Sequence, residues 1–392
     1  MKVWPVKHSP LLRQPERFIA RNELQALIQK VTQNLVNIKD ESGQFLLRLD
    51  DGRIIDTKGW NGWEWTHGVG LYGIWQYYQQ TGDTAMRDII DSWFADRFAE
   101  GATTKNVNTM APFLTLAYRY EETGNAAYLP WLDSWAEWAM NEMPRTESGG
   151  MQHITLAEEN HQQMWDDTLA EENHQQMWDD TLMMTVLPLA KIGKLLNRPE
   201  YVEEAVYQFL LHVQNLMDRE SGLWFHGWNY EGRHNFARAR WARGNSWLTI
   251  VIPDFLELVD LPENSAVRRY LVQVLDTQIA ALARCQDDSG LWHTLLDDPD
   301  SYLEASATAG FAYGILKAVR KRYVSQAYTE VAEKAIRGIV ANISAQGELL
   351  QTSFGTGMGS DLDFYRDIPL TSMPYGQAMA ILCLTEYLRK YF

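Results

Sequence analysis

Six stretches of the chain are apolar most of the way round a helix, and each begins in small or polar residues. The first follows an aromatic-rich loop and ends at Thr81-Gly82-Asp83, a glycine stop. The others run from Asn108 to Asn125, Asp180 to Glu200, Gly244 to Asn264, Ser306 to Arg322 and Pro374 to Tyr391. Between them, apolar positions fall on one side only, as in residues 21–38, Tyr128–Glu142, Tyr201–Met217, Ala266–Arg284 and Tyr328–Asn342. A helix that is apolar all round is buried, and one with a single apolar stripe covers it. A glycine-led extended piece also recurs: SGQFLLR at 42, GGMQH at 149, SGLWFH at 221, SGLWHT at 289 and QGELLQT at 346. The later repeats come at roughly sixty-residue spacing, longer than a two-helix solenoid unit. Alternating inner and outer helices, six of each, predict an all-α fold, an (α/α)6 barrel. No Pro/Gly/Ser linker or change of composition divides the chain, so residues 1–392 read as a single domain.

In such a barrel the inner helices share a direction, and their N-terminal ends form one mouth. The pattern therefore predicts that Trp60, Trp63, Trp65, His67, Asn106, Asn108, Asp179, Asp180, Trp241, Arg243, Asn245, Trp247, Glu304 and Ser306 converge. One stretch there is duplicated: TLAEENHQQMWDD occupies residues 155–167 and again 168–180. Both copies end in Trp-Asp-Asp, but only Trp178-Asp179-Asp180 leads into an apolar helical run, TLMMTVLPLAKIGKLL. The second copy is therefore expected to occupy the mouth, with about thirteen surplus residues in the loop between His153 and His174, an extension a surface loop tolerates cheaply. Paired acids at a helix start suit either capping, where anions are favoured, or acid–base chemistry. Convergence with aromatic side chains and Arg243 favours chemistry: aromatic faces stack on a sugar ring and a guanidinium forks a uronate carboxylate.

Composition narrows the partners. Apolar residues make up 46% of the chain, with 16 Trp and 18 Tyr, enough for a large core. A net charge of −16 argues against nucleic acid and leaves anionic substrates to local cations. Cys285 and Cys383 are too few for a disulfide framework or a zinc site. The N-terminal stretch lacks a signal-peptide apolar core and no run reaches membrane-spanning length, so a cytoplasmic protein without membrane partners is expected. His226 and His234 are not at helical ligand spacing and lack a clustered third ligand, so neither metal nor other cofactor is expected. Oligomeric state is left open.

The segment His174–Met184, HQQMWDDTLMM, resembles the H-x-x-M-W-x-D-x-L-Y-M signature of the unsaturated rhamnogalacturonyl hydrolases, glycoside hydrolase family 105. Phe225-His226-Gly227-Trp228 is similar to their H-x-W element, Trp241–Trp247 to W-x-R-G-N-x-W, and Tyr302–Ser306 to L-E-x-S. The resemblance implies the same barrel and removal of a Δ4,5-unsaturated galacturonyl residue from the non-reducing end of lyase-generated oligosaccharides. It places the catalytic acid on Asp180 and the sugar site on His226, Trp241, Arg243 and Trp247; Trp178, Asn108 and Trp65 are further candidates for the wall. Relatives often carry an aspartate at the second inner helix, where this chain has Asn106-Val107-Asn108.

One acid suffices for that reaction. An unsaturated uronate is an enol ether: a proton on C4 creates an oxocarbenium ion at C5, and water adds there. Asp180 must then be protonated near neutral pH, which burial against Trp178, Trp241 and Trp247 would favour, with Arg243 facing the substrate rather than Asp180. Glu304 is expected to bind loop amides. The alternatives are an unsaturated glucuronyl hydrolase acting on glycosaminoglycan-type disaccharides, an epimerase, which would need paired histidines at the mouth, or a non-catalytic glycan-binding barrel.

Overall fold

The computed structural model describes residues 17–48, 52–153 and 175–392. The stretch from 154 to 174, with Asp167 and the whole of the duplicated segment's first thirteen-residue unit, lies outside the described residues.

The outer helices are α1 (Arg21–Asn37), α3 (Thr84–Glu100), α5 (Leu129–Glu137), α7 (Pro199–Leu216), α9 (Ala266–Cys285) and α11 (Thr329–Ala341). The inner ones are α2 (Trp65–Thr81), α4 (Phe113–Thr123), a π-helical turn Leu182–Val186 running into α6 (Leu187–Leu195), α8 (Ala242–Val259), α10 (Ala305–Arg320) and α13 (Pro374–Tyr391). Each inner helix packs on the next, and α13 returns to α2, closing the ring of the expected (α/α)6 barrel. Outer helices bury one stripe, such as Leu24, Ile28, Val31 and Leu35 of α1, whereas α10 is buried continuously from Ala305 to Val319. The difference follows from the sequence: a helix with no polar face has no side it can leave in water.

The glycine-led pieces are the returns from outer to inner helices. Gly43, Gly149, Gly222, Gly290 and Gly347 all have φ between 78° and 89°, a left-handed turn that L side chains resist. The short strands beyond them include β1 (Leu46–Arg48) with β2 (Ile54–Asp56), β3 (Gln176–Trp178) with β4 (Gly227–Asn229), and β5 (Trp292–His293) with β6 (Leu303–Glu304), all antiparallel pairs. A short helix, α12 (Leu362–Arg366), precedes α13. Toward the C-terminal halves of the inner helices, Asp254 accepts hydrogen bonds from Tyr72, Tyr313 and Lys317 at 2.6–2.7 Å, tying α2, α8 and α10 together across the interior. Among the described residues, no helix is long and apolar enough to cross a membrane.

Candidate active site

A cavity of about 560 Å³ lies where the inner helices begin. Its wall includes Trp63, Trp65 and His67 at α2, Asn108 before α4, Trp178, Asp180 and Met184 at the third inner helix, Trp241 and Arg243 at α8, and Met373 and Tyr375 at α13. Five of the six inner helices thus contribute. The sixth, α10, is sealed by its N-cap Glu304, which accepts from Ser306 N, Ser306 Oγ, Ala307 N and Ser353 N, the amide-binding part expected of it.

Asp180 is held in place by sheet geometry. β3 pairs with β4, and just past the pair Asp179 N donates to His226 O at 3.0 Å, which brings two chain-distant segments side by side. His226 Nε2 then lies 3.2 Å from Asp180 Oδ2, and its Nδ1 lies 2.8 Å from the Tyr365 hydroxyl. Nε2 is therefore the nitrogen that faces the carboxyl group and donates to it. Trp241 packs on His226 at 4.4 Å, and His153 stacks on Trp178 at 4.0 Å. His153 also lines the cavity, and burial lowers it to about 4, so it is neutral.

The two adjacent acids have separated. Asp179 is fully buried, and among the described residues neither carboxyl oxygen finds a donor. Burial pushes it well above the usual carboxylate range, and the charge of Asp180 pushes it further. Asp180 is also opposed by burial, but the hydrogen bond and charge of His226 outweigh that and hold it below the ordinary value. The two carboxyl groups are thus driven in opposite directions, Asp179 toward the protonated form and Asp180 toward the ionised one. The expectation that burial alone protonates Asp180 is therefore corrected: His226 reverses it, and the neutral acid is the neighbour behind.

Other expected wall residues divide. Asn108 lines the cavity, whereas Asn106 Oδ1 accepts from Thr109 N and caps the turn. Trp65 lines it and stacks on Tyr375 at 4.5 Å. Trp247 is not on the wall: it is fully buried, with Trp65 edge-on at 5.9 Å. His226 also stands off the wall and reaches the cavity through Asp180. Asn245 is spent on the backbone of Trp224 and Trp241. Gly244 lets α8 approach the acid pair, since a Cβ there would sit 2.4 Å from Asp179 Oδ2. Only Trp241 and Arg243 of that motif face the cavity.

Arg243 is clamped between the rings of Trp241 and Tyr375, with its Cζ 4.7 and 4.8 Å from their centroids. Nη1 donates to Ser353 O and Oγ, and Nη2 to Phe354 O, while Nε has no partner. An end-on fork is therefore already used. The edge left for a carboxylate is Nε with the remaining Nη2 hydrogen.

The expectation that His226 lacks clustered ligands is also corrected. Among the described residues, Asp179, Asp180 and His226 offer ligand atoms within 4.8 Å of one another, though Asp179 would first have to lose its proton. His234 lies elsewhere, accepting from Phe236 N. Sequence reasoning did not single out Tyr375, His153, Tyr365 or Arg97. Tyr375 had a signal, because it opens the sixth inner helix; the others arrive through tertiary contacts alone.

A helical barrel with a proton-sharing acid pair at an aromatic-walled cavity defines the class: a carbohydrate-cleaving (α/α)6 enzyme. Residues 37–391 match the model described as Glycosyl Hydrolase Family 88. The chain belongs to that family, which with family 105 comprises the unsaturated uronyl hydrolases, and it is a glycoside hydrolase. A crystal structure from Klebsiella pneumoniae subsp. pneumoniae MGH 78578, described as a possible member of the GH105 family, is 88% identical over 100% of both chains, with TM-score 0.92. The unsaturated rhamnogalacturonyl hydrolase YesR of Bacillus subtilis (strain 168) is 29% identical over 330 residues, 83% of this chain and 90% of YesR. A family 105 glycoside hydrolase of C. acetobutylicum ATCC 824 is 23% identical, covering 84% of this chain and 94% of its own with TM-score 0.73, a likeness of fold.

Proposed function

We propose that this enzyme removes a Δ4,5-unsaturated galacturonyl residue from the non-reducing end of lyase-generated rhamnogalacturonan or pectin oligosaccharides by hydrating its enol ether. The observation that carries the reading is Asp180 on the cavity wall with the fully buried Asp179 behind it, a carboxyl that burial pushes toward its protonated form. Among the described residues the other wall acids are engaged: Asp56 accepts backbone N–H groups of Asp40, Lys58 and Gly59, Glu100 pairs with Arg97, and Glu64, before α2, is likewise not free. Direct glycoside hydrolysis needs two opposed carboxyl groups free to act; enol-ether hydration needs one proton in the right place. YesR, named for unsaturated rhamnogalacturonyl hydrolysis, supports the galacturonyl substrate.

The pair delivers its proton through Asp180, the member that reaches the cavity, to C4 of the alkene. The oxocarbenium ion at C5 takes water, and Asp180 receives the proton that water loses. The C5 hemiketal opens by breaking its bond to the ring oxygen, and the hemiacetal left at C1 expels the aglycone alcohol. Trp241, Trp178, Trp65 and Asn108 shape the sugar site, and the free edge of Arg243 meets the uronate carboxylate.

Asp180→Asn keeps the shape but removes the proton relay. Its kcat on an unsaturated galacturonyl disaccharide, followed by loss of alkene absorbance, is expected to fall about 10²- to 10⁴-fold. Turnover in heavy water should place deuterium at C4. Wild-type rates in the variant, or oxygen label from water at the anomeric carbon, would sink the reading.

A further inference from the structure

Arg97 closes the outer helix α3 and lines the same cavity, with its side chain only 6% exposed. Nη2 donates to Glu100 Oε1 at 2.7 Å, and the guanidinium lies 5.9 Å from the Trp93 ring centroid. Nε and Nη1 are buried and, among the described residues, have no partner. A native protein rarely leaves two donors of one cation unpaired unless an acceptor arrives from outside. Nothing in the sugar site already described uses them.

Position identifies the acceptor. Along the ring, α3 stands between the first and second inner helices, Asp180 opens the third, and Arg243 opens the fourth. The two guanidiniums therefore enter the cavity from different walls, with the reacting acid on the wall between. A substrate whose only anionic group is the uronate carboxylate has one partner in Arg243 and nothing for Arg97. Resting on the proposed reaction and narrowing its substrates to the pectin side, we infer that Arg97 binds a second anionic group carried by the aglycone sugar, so that the preferred substrate is an unsaturated uronyl residue joined to galacturonate rather than to the neutral rhamnose of rhamnogalacturonan. Trp63, packed against Trp93 at 6.2 Å and also on the wall, gives that sugar an aromatic neighbour. His67, lowered to about 4 by burial with the positive charge of Arg97 adding to the effect, stays neutral beside it and donates to Gly59 O.

The test compares kcat/KM of the full chain on three lyase-generated disaccharides, with galacturonate, sulfated hexosamine or rhamnose as aglycone. Wild type is expected to prefer galacturonate over rhamnose at least tenfold, and Arg97→Gln to remove that preference; a preference for the sulfated hexosamine over galacturonate would overturn the inference. In Arg97→Gln the acidic-to-neutral ratio should fall about ten- to a hundredfold, the worth of a charge-assisted contact; Arg97→Lys should restore part of it. Taking the ratio cancels any general loss of folded enzyme. Glu100, whose side chain is 62% exposed, gives a second variant the fold tolerates: Glu100→Gln removes the competing carboxylate and should raise the ratio. Equal losses on all three substrates, a wild-type preference for rhamnose, or an unmoved ratio in Glu100→Gln overturns the inference while leaving the proposed reaction intact. Failure of wild type to turn over any of the three overturns the proposed reaction, and this inference with it.

Discussion

Asp179 and Asp180 are adjacent and chemically identical, yet their surroundings pull the two carboxyl groups apart. Asp179 meets only buried neighbours and Asp180 meets His226, so one carboxyl is raised and the other lowered. Asp179→Asn removes the proton's resting place and leaves Asp180 ionised. We expect its rate at pH 7 to fall and to recover partly as the pH is lowered, because the remaining acid must take its proton from solvent. A kcat–pH profile superimposable on that of wild type would show that Asp179 is only a packing residue. Three buried histidines, His67, His153 and His212, make a different prediction. Burial lowers each to about 4. Between about pH 6.5 and 4 the unfolded chain protonates them and the folded chain does not, so stability falls on acidification by up to about 1.4 kcal/mol per pH unit for each. Asp179 acts in the opposite sense, because above about pH 4 the folded state keeps a proton that the unfolded state releases. Three groups outweigh one. Unfolding free energy measured from pH 7 to 5 should therefore drop, and less steeply in His212→Gln; a flat profile would contradict the assignment.

At the scale of elements, the start of α8 shows how one short motif carries two kinds of work. Trp241 and Arg243 face the cavity, while Gly244 and Asn245 exist so that α8 can lie against the acid pair and the Trp224 loop. Gly244→Ala would drive a methyl group onto Asp179 Oδ2 and the Trp241 ring. Overpacking of this kind costs about 1–3 kcal/mol, and here it also displaces the proton-sharing pair. A denaturation midpoint and kcat both equal to wild type would show that the helix has room to shift. The β3–β4 pair has the complementary task, since it aligns Asp180 with His226 across 46 residues of chain.

At the scale of the molecule, ring closure sets the site. Five inner helices end at one cavity, and the Asp254 network ties α2, α8 and α10 across the interior beyond it. The duplicated segment is tested at this scale. Asp180 occupies the cavity with its helix directly behind it, so a chain lacking residues 155–167 retains every described contact of the acid pair. We expect that deletion to fold with equal or greater stability and to act on a disaccharide at least as well. Loss of the fold or of activity would mean that the earlier copy is structural.

The sequence by itself determined the barrel and part of the wall. All-round apolar helices alternating with striped ones can be satisfied only by two concentric layers, and a glycine at each return reports a left-handed turn whatever the tertiary context. The family motifs likewise named Asp180, Trp241 and Arg243 before their surroundings were known. What sequence could not supply was which side of each helix start faces the cavity, because position along a helix does not fix the direction of a side chain until its neighbours are in place. Trp65 opens α2 and Trp247 lies in the second turn of α8; packing sent Trp247 into the core and left Trp65 on the wall. Nor could it decide where the proton rests. That depends on desolvation and on a histidine 46 residues away, and both come into being only when the ring closes.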